Sequence, residues 1–201
     1  MLRVGLTGGL ASGKSFVGET LRDLGCYLIR ADDLGHQVLA PGGEAYASVV
    51  EKFGPTILRE DRTINRRRLA STVFKDPARL VDLNALVHPA VRARSFQLLD
   101  DYEAKHPHGI AVYEAAILVE TGSYRDFAKL ILAVCTVEQQ IERAMARDGI
   151  TRQEALERLS RQMLLEEKLK YADYVVNTSG AKEATRAQVC AIYKLLRDLK
   201  P

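Results

Sequence analysis

The chain has 201 residues, 47% hydrophobic and 27% charged, the balance of a soluble globular domain rather than a disordered or fibrous chain. A formal net charge of +3 is too small to imply nucleic-acid binding and is compatible with an anionic small substrate. Cys26, Cys135 and Cys190 lie far apart without a C-x-x-C pair, and His36, His88, His106 and His108 add no metal-ligand spacing, which excludes a disulfide scaffold and a zinc site.

In chain order, Leu2, Val4 and Leu6 read as a short buried strand. Gly8-Gly9-Leu10-Ala11-Ser12-Gly13-Lys14-Ser15 follows and fits G-x-x-x-x-G-K-[ST], the phosphate-binding loop. Val17, Leu21 and Leu24 then recur at i, i+4 and i+7, the apolar stripe of a helix. Strand, glycine-rich turn and helix together aim backbone N–H groups and a positive helix end at one point, which suits the β- and γ-phosphates of a nucleotide. Gly8, Gly9, Ala11, Ser12, Gly13 and Phe16 are expected around that nucleotide, with Lys14 between the phosphates and the Ser15 hydroxyl on Mg²⁺.

Gly25 is expected to cap the first helix. Residues 26–29 form a second strand that ends at Arg30-Ala31-Asp32-Asp33. Ligands of open α/β sheets sit beyond the carboxyl ends of strands, so this corner is expected to face the phosphate loop. One aspartate can cap the following helix while the other works on the phosphoryl acceptor, and Asp32 is the choice for the second task.

From His36 to His108 the strand–helix alternation stops. Pro41-Gly42-Gly43 and Gly54-Pro55 break the chain around a helical stripe at Ala45, Val49, Val50 and Phe53. Arg66, Arg67 and Arg68 open a helix after Asn65, where cations oppose the helix dipole, so at least one is expected on phosphate rather than on a solvated face. A helix opening at Asp76-Pro77 is expected to end at His88-Pro89, and a further one to run to about Lys105. This insert, 36–108, reads as a subdomain for a second substrate, set into a core of 1–35 and 109–201.

A third strand, 110–113, ends at Glu114, either an acid holding Mg²⁺ through water or a strand-end partner of a lysine. Glu120-Thr121-Gly122 is another candidate active-site edge, and Leu130 to Val134 is a fourth buried parallel strand. Thr136/Gln139 and Thr151/Glu154 fit two capping boxes, each opening a helix. Arg143 and Arg147 share one face of the first, Arg158 and Arg161 one face of the second, with Glu142, Glu154 and Glu157 as the carboxylates available to pair with them. Phosphoryl transfer needs cations around its equatorial oxygens, so residues 140–171 are expected to be an arginine-bearing lid. Residues 174–176 form a fifth strand, and the turn opened by Asn177 either contacts adenine or simply enters the closing helix. No apolar run has membrane-spanning length, so a cytoplasmic protein with no membrane or nucleic-acid partner is expected, a monomer or weak homo-oligomer.

The chain resembles the dephospho-CoA kinases, through Leu6 to Ser15 with Ala31-Asp32, Asn65-Arg66, Leu69-Ala70, Val73-Phe74, Leu86-Val87-His88-Pro89, Ile117 to Glu120, and Arg158 to Gln162 with Ala172 to Val176. These blocks run in order over nearly the whole length, whereas the phosphate loop alone is shared by many unrelated proteins. The resemblance implies a P-loop fold with a five-stranded parallel sheet flanked by helices, a helical CoA subdomain and a lid. It implies ATP, with Mg²⁺, phosphorylating the ribose 3′-hydroxyl of dephospho-CoA to give coenzyme A and ADP. On this reading Asp32 is the general base, and Lys14 and Arg143 stabilise the transferring group. ATP is held by the phosphate-loop residues with Arg147 and Asn177, and dephospho-CoA by Asp32, Arg66, His88, Glu120 and Arg161. The family often has Asp where Arg30 stands and Pro-Leu-Leu where Ala116-Ile117-Leu118 stand.

Overall fold

Alternation of apolar strands with amphipathic helices produces, in the computed structural model, an α/β core whose described residues are 1–73 and 76–199. Phe74, part of the Val73-Phe74 pair, lies outside them. In chain order the elements are β1 (Leu2–Gly8), α1 (Lys14–Asp23), β2 (Tyr27–Arg30), α2 (Ala31–Val38), α3 (Tyr46–Phe53), α4 (Arg66–Val73) and α5 (Pro77–Lys105). They continue with β3 (Ile110–Glu114), β4 (Lys129–Val134), α6 (Val137–Asp148), α7 (Arg152–Ser160), α8 (Leu165–Leu169), β5 (Tyr174–Asn177) and α9 (Lys182–Asp198).

The strands pair in parallel in the order β2-β3-β1-β4-β5, as expected of strands linked by helical crossovers. β1 is central, and Val4 and Leu6 are fully buried. They share a core with Val17 and Leu21 of α1 and Val189, Ile192 and Leu196 of α9, so the helix after the phosphate loop is fixed to the sheet along its whole apolar stripe. Because every strand is parallel, the ends of β1, β3, β4 and β5 deliver Gly8, Glu114, Cys135 and Thr178 to one edge. Gly25 stands one residue past the C-cap Leu24, with φ 97° and its N–H on the carbonyl of Arg22.

The chain divides into two compact units, 1–30 with 102–201, and 31–101. The sequence gives no loop from which to read the first division, since α2 starts at the residue after β2, nor the second, since α5 continues unbroken across it. The unit 31–101 has its own core: Val38, Val49, Phe53, Ile57, Ile64, Leu69 and Val73, with Leu83, Leu86, Val87, Ala90 and Val91 packed on it.

That packing overturns one expectation. His88-Pro89 does not end a helix; α5 runs through Pro89 for 29 residues. Proline removes one backbone donor but its φ is helical, and apolar side chains on both sides of it, Leu86 and Val87 before and Ala90 and Val91 after, share one core. Pro89 is itself exposed, so little packing depends on its ring. Replacing Pro89 with alanine therefore restores a donor for the carbonyl of Ala85 and should stabilise this unit by about 1–3 kcal/mol. Urea unfolding checks this, with an unchanged or lowered midpoint as the contrary result.

Candidate active site

The phosphate loop follows β1 directly, and α1 begins inside it at Lys14 with Gly13 as N-cap (φ 85°, ψ 11°). Gly13 is required twice over: its φ is left-handed, and a Cβ there would come 3.0 Å from the Thr178 hydroxyl. Ala11 is also left-handed, at φ 48°, a conformation costing a non-glycine residue roughly 1–2 kcal/mol. Strain of this kind persists only where surroundings impose it. Leu10 and Ala11 pack on Ile141 and Ala144 of α6 and Ala155 of α7, the Ser12 N–H donates to the Gly9 carbonyl (3.2 Å), and the Thr178 hydroxyl donates to the Ser12 carbonyl (2.7 Å). Lys14 Nζ reaches back to the Gly9 carbonyl at 3.4 Å. The Ser12 hydroxyl is buried with no hydrogen-bond partner, a polar atom inside the loop that a phosphate oxygen would satisfy.

At the end of β3, Glu114 is 7% exposed and accepts the Ser15 hydroxyl at 2.8 Å. Its second oxygen, Oε2, is buried without a hydrogen bond and lies 3.4 Å from Arg30 Nε. Arg30 also pairs with Glu19, which pairs in turn with Arg22. The carboxylate partner is thus Ser15 and an arginine rather than a lysine. A hydroxyl beside a carboxylate is a hard-oxygen pair of the kind Mg²⁺ takes, and Mg²⁺ typically keeps most of its shell as water and substrate phosphate. Among the described residues no three His, Cys, Asp or Glu converge as a metal cluster.

Both capping boxes form, Thr136 with Gln139 and Thr151 with Glu154, and Gly149 ends α6 at φ 65°. Arg143 is half-buried and donates from Nη2 to the Thr178 carbonyl (2.8 Å) and from Nη1 to the Thr178 hydroxyl (3.2 Å). Arg147 and Arg158 both pair with Asp148, at 2.7 and 3.0 Å, and Arg147 foremost holds that carboxyl below the usual aspartate range. The expected partners Glu154 and Glu157 are otherwise engaged, Glu154 in its capping box and Glu157 with the Gln153 amide. Arg161 is exposed at the C-cap of α7.

Glu120 is held by Lys168 Nζ at 2.7 Å and accepts from the Met163 N–H at 3.4 Å. Lys168 is only 2% exposed and also donates to the Ala116 carbonyl. Asn177 is exposed, and its side-chain oxygen accepts from the Ser179 N–H, which makes it a turn former. In the other unit, Asp32 and Asp33 are exposed in the first turn of α2; the helix begins before them at Ala31, so neither is its N-cap. Asn65 caps α4 through the Arg68 N–H, and Arg68 donates to the Leu58 carbonyl, while Arg66 lines a cavity of about 380 Å³ with His36, Arg59, Asp61 and Thr63. His88 is exposed on α5.

Sequence reasoning missed Thr178, Gln162 and Lys168. Gln162 accepts the N–H of Leu10 in the loop at 2.9 Å. Thr178 to Ser12 spans 166 positions, Gln162 to Leu10 spans 152 and Lys168 to Ala116 spans 52, so no local spacing reveals them.

The family model for dephospho-CoA kinase (CoaE) matches residues 2–183. A dephospho-CoA kinase of Syntrophus aciditrophicus is 39% identical over 196 residues, covering 98% of this chain and 83% of its own. The crystal structure of TT1252 from Thermus thermophilus is 31% identical with a TM-score of 0.80, covering 100% of this chain and 98% of that one. A dephospho-CoA kinase structure from Campylobacter jejuni, 23% identical with a TM-score of 0.66 and 96% of both chains covered, shares the fold.

The loop geometry makes Thr178 testable. Thr178→Val keeps the shape but leaves the buried Ser12 carbonyl and Arg143 short of a partner, and should destabilise the protein by about 1–3 kcal/mol. Nucleotide affinity should fall with it. Denaturant unfolding alongside nucleotide titration reads both, and a variant equal to the parent in both would refute the role.

Proposed function

Because the chain belongs to the dephospho-CoA kinase family, we propose how its residues divide the work of that reaction. The enzyme transfers a phosphoryl group from ATP to the ribose 3′-hydroxyl of dephospho-CoA, giving coenzyme A and ADP, the last step of CoA biosynthesis. One observation carries the division of labour: a strained glycine-rich loop at the end of β1, with an unpartnered Ser12 hydroxyl inside it and the Ser15–Glu114 pair beside it.

The loop residues Gly8, Gly9, Ala11, Ser12, Gly13 and Ser15, with Phe16, hold the ATP phosphates while the Leu10 N–H stays with Gln162, and Lys14 leaves the Gly9 carbonyl to lie between the phosphates. The Ser15 hydroxyl, with Glu114 behind it, would hold Mg²⁺, which would supply charge neutralisation to the nucleotide phosphates. Asp32 orients the 3′-hydroxyl and takes its proton as the new O–P bond forms and the bond from the γ-phosphorus to the β–γ bridging oxygen breaks. Arg143, already two hydrogen bonds from the loop through Thr178, turns to the equatorial oxygens of the transferring group. Arg147 and Asn177 lie on the ATP side. Arg66, His88, Glu120 and Arg161 serve dephospho-CoA, and the cavity lined by Arg66 and Arg59 supports an anionic ligand in the 31–101 unit. Residues 140–171 close as a lid and exclude water, a competing acceptor.

The compartment we propose is the cytoplasm, in keeping with three cysteines that form no disulfide. Among the described residues no helix is long and apolar enough to cross a membrane, and the enzyme is taken to act as a monomer or weak homo-oligomer.

Turnover measured as ADP release, with dephospho-CoA, nucleoside monophosphates and shikimate as alternative acceptors and with Mg²⁺ present or chelated, tests the assignment. Only dephospho-CoA with Mg²⁺ should support rapid release. Asp32→Asn should lower kcat by roughly 10²- to 10⁴-fold with little change in ATP affinity. A variant turning over within a few-fold of the parent would remove Asp32 from the mechanism.

A further inference from the structure

We propose that Gln162 is a positioning residue of the phosphate loop: its side-chain carbonyl fixes the Leu10 N–H, and with it the left-handed turn at Ala11, in the shape that receives phosphate. The inference rests on the reading of this loop as the ATP site.

Gln162 Oε1 accepts from Leu10 N at 2.9 Å, across 152 residues of sequence. Leu10 immediately precedes Ala11, whose φ of 48° is the strained point of the loop. A second glutamine lies on the same spot: a Cβ at Gly9 would meet Gln140 Nε2 at 2.5 Å and Gln162 Oε1 at 3.4 Å. Two polar side chains of the lid therefore rest on the backbone of Gly9 and Leu10, while Ile141, Ala144 and Ala155 cover the apolar side of Leu10 and Ala11.

Gln162 is itself held from both directions. Its own N–H donates to the Leu159 carbonyl and closes α7. The next residue, Met163, donates to Glu120, which is locked in turn by the buried Lys168. The side chain that meets the loop thus has a fixed base, as a positioning group needs. A merely solvated glutamine would not require the Glu120–Lys168 pair behind it.

The test uses the whole enzyme and two variants, Gln162→Met, which keeps the length and loses the acceptor oxygen, and Gln162→Glu, which keeps an acceptor oxygen. Amide hydrogen exchange at Leu10 in the nucleotide-free protein should quicken in Gln162→Met and stay near the parent rate in Gln162→Glu. Isothermal titration of Gln162→Met with ATP and with tripolyphosphate should show both weakened by roughly five- to tenfold. The KM for ATP should rise by the same factor, while kcat and the KM for dephospho-CoA stay within about twofold. Unchanged or tighter binding, weakening of ATP but not of tripolyphosphate, or an equal rise in both KM values would overturn the inference. Failure of the unmodified protein to bind ATP at all would instead overturn the reading of the loop.

Discussion

Everything at the carboxyl edge of the sheet depends on keeping the backbone from Gly9 to Gly13 in a conformation it would not hold alone. Ala11 is left-handed at a cost of roughly 1–2 kcal/mol, whereas one neutral hydrogen bond returns only about 0.5–1.5 kcal/mol net. One such contact offsets that cost at best narrowly, and three separate parts of the chain contribute. The turn after β5 supplies the Thr178 hydroxyl to the Ser12 carbonyl, Gln162 takes the Leu10 N–H, and α6 with α7 buries Leu10 and Ala11. The loop is thus a joint product of residues near 10, 141–162 and 178.

That distribution explains what the sequence could and could not disclose. β3 and β4 are short apolar runs, legible because a parallel strand covered on both faces needs no alternation, while β1 showed itself by the alternating Leu2, Val4 and Leu6. The phosphate loop and the capping boxes at Thr136 and Thr151 were legible because every group in them lies within a few residues. Lys168 was not. It sits in Leu165-Glu166-Glu167-Lys168, which reads as a solvated surface, and only the chain's return to Glu120 and the Ala116 carbonyl buries it. The same holds for Asp148, which gathers Arg147 and Arg158 in place of the glutamates spaced for helical pairing. Pro89 failed differently: a local rule for ending helices lost to apolar contacts on both sides of the proline.

The pair at the end of β3 follows from burial. A carboxylate as enclosed as Glu114 is costly unless its charge is met, and Arg30, its register partner on β2, stands beside it. Arg30 in turn has Glu19, and Glu19 has Arg22, so charge alternates outward to exposed surface on α1. A carboxylate at position 30 would place two acids against each other here, whereas the Arg30 guanidinium sets a positive charge against Glu114.

The direction of one proton then decides what Ser15 can offer. A hydroxyl has a single hydrogen and two lone pairs, and an ionised carboxylate can only accept. With its hydrogen committed to Glu114 Oε1, Ser15 presents lone pairs on its remaining side and cannot turn a positive edge toward an incoming cation. An amide at 114 would lose this control, because it could donate to Ser15 and occupy the electrons a metal needs. Glu114 therefore sets the polarity of its neighbour Ser15 through this hydrogen bond, and Arg30 stands against its other oxygen in the same buried corner.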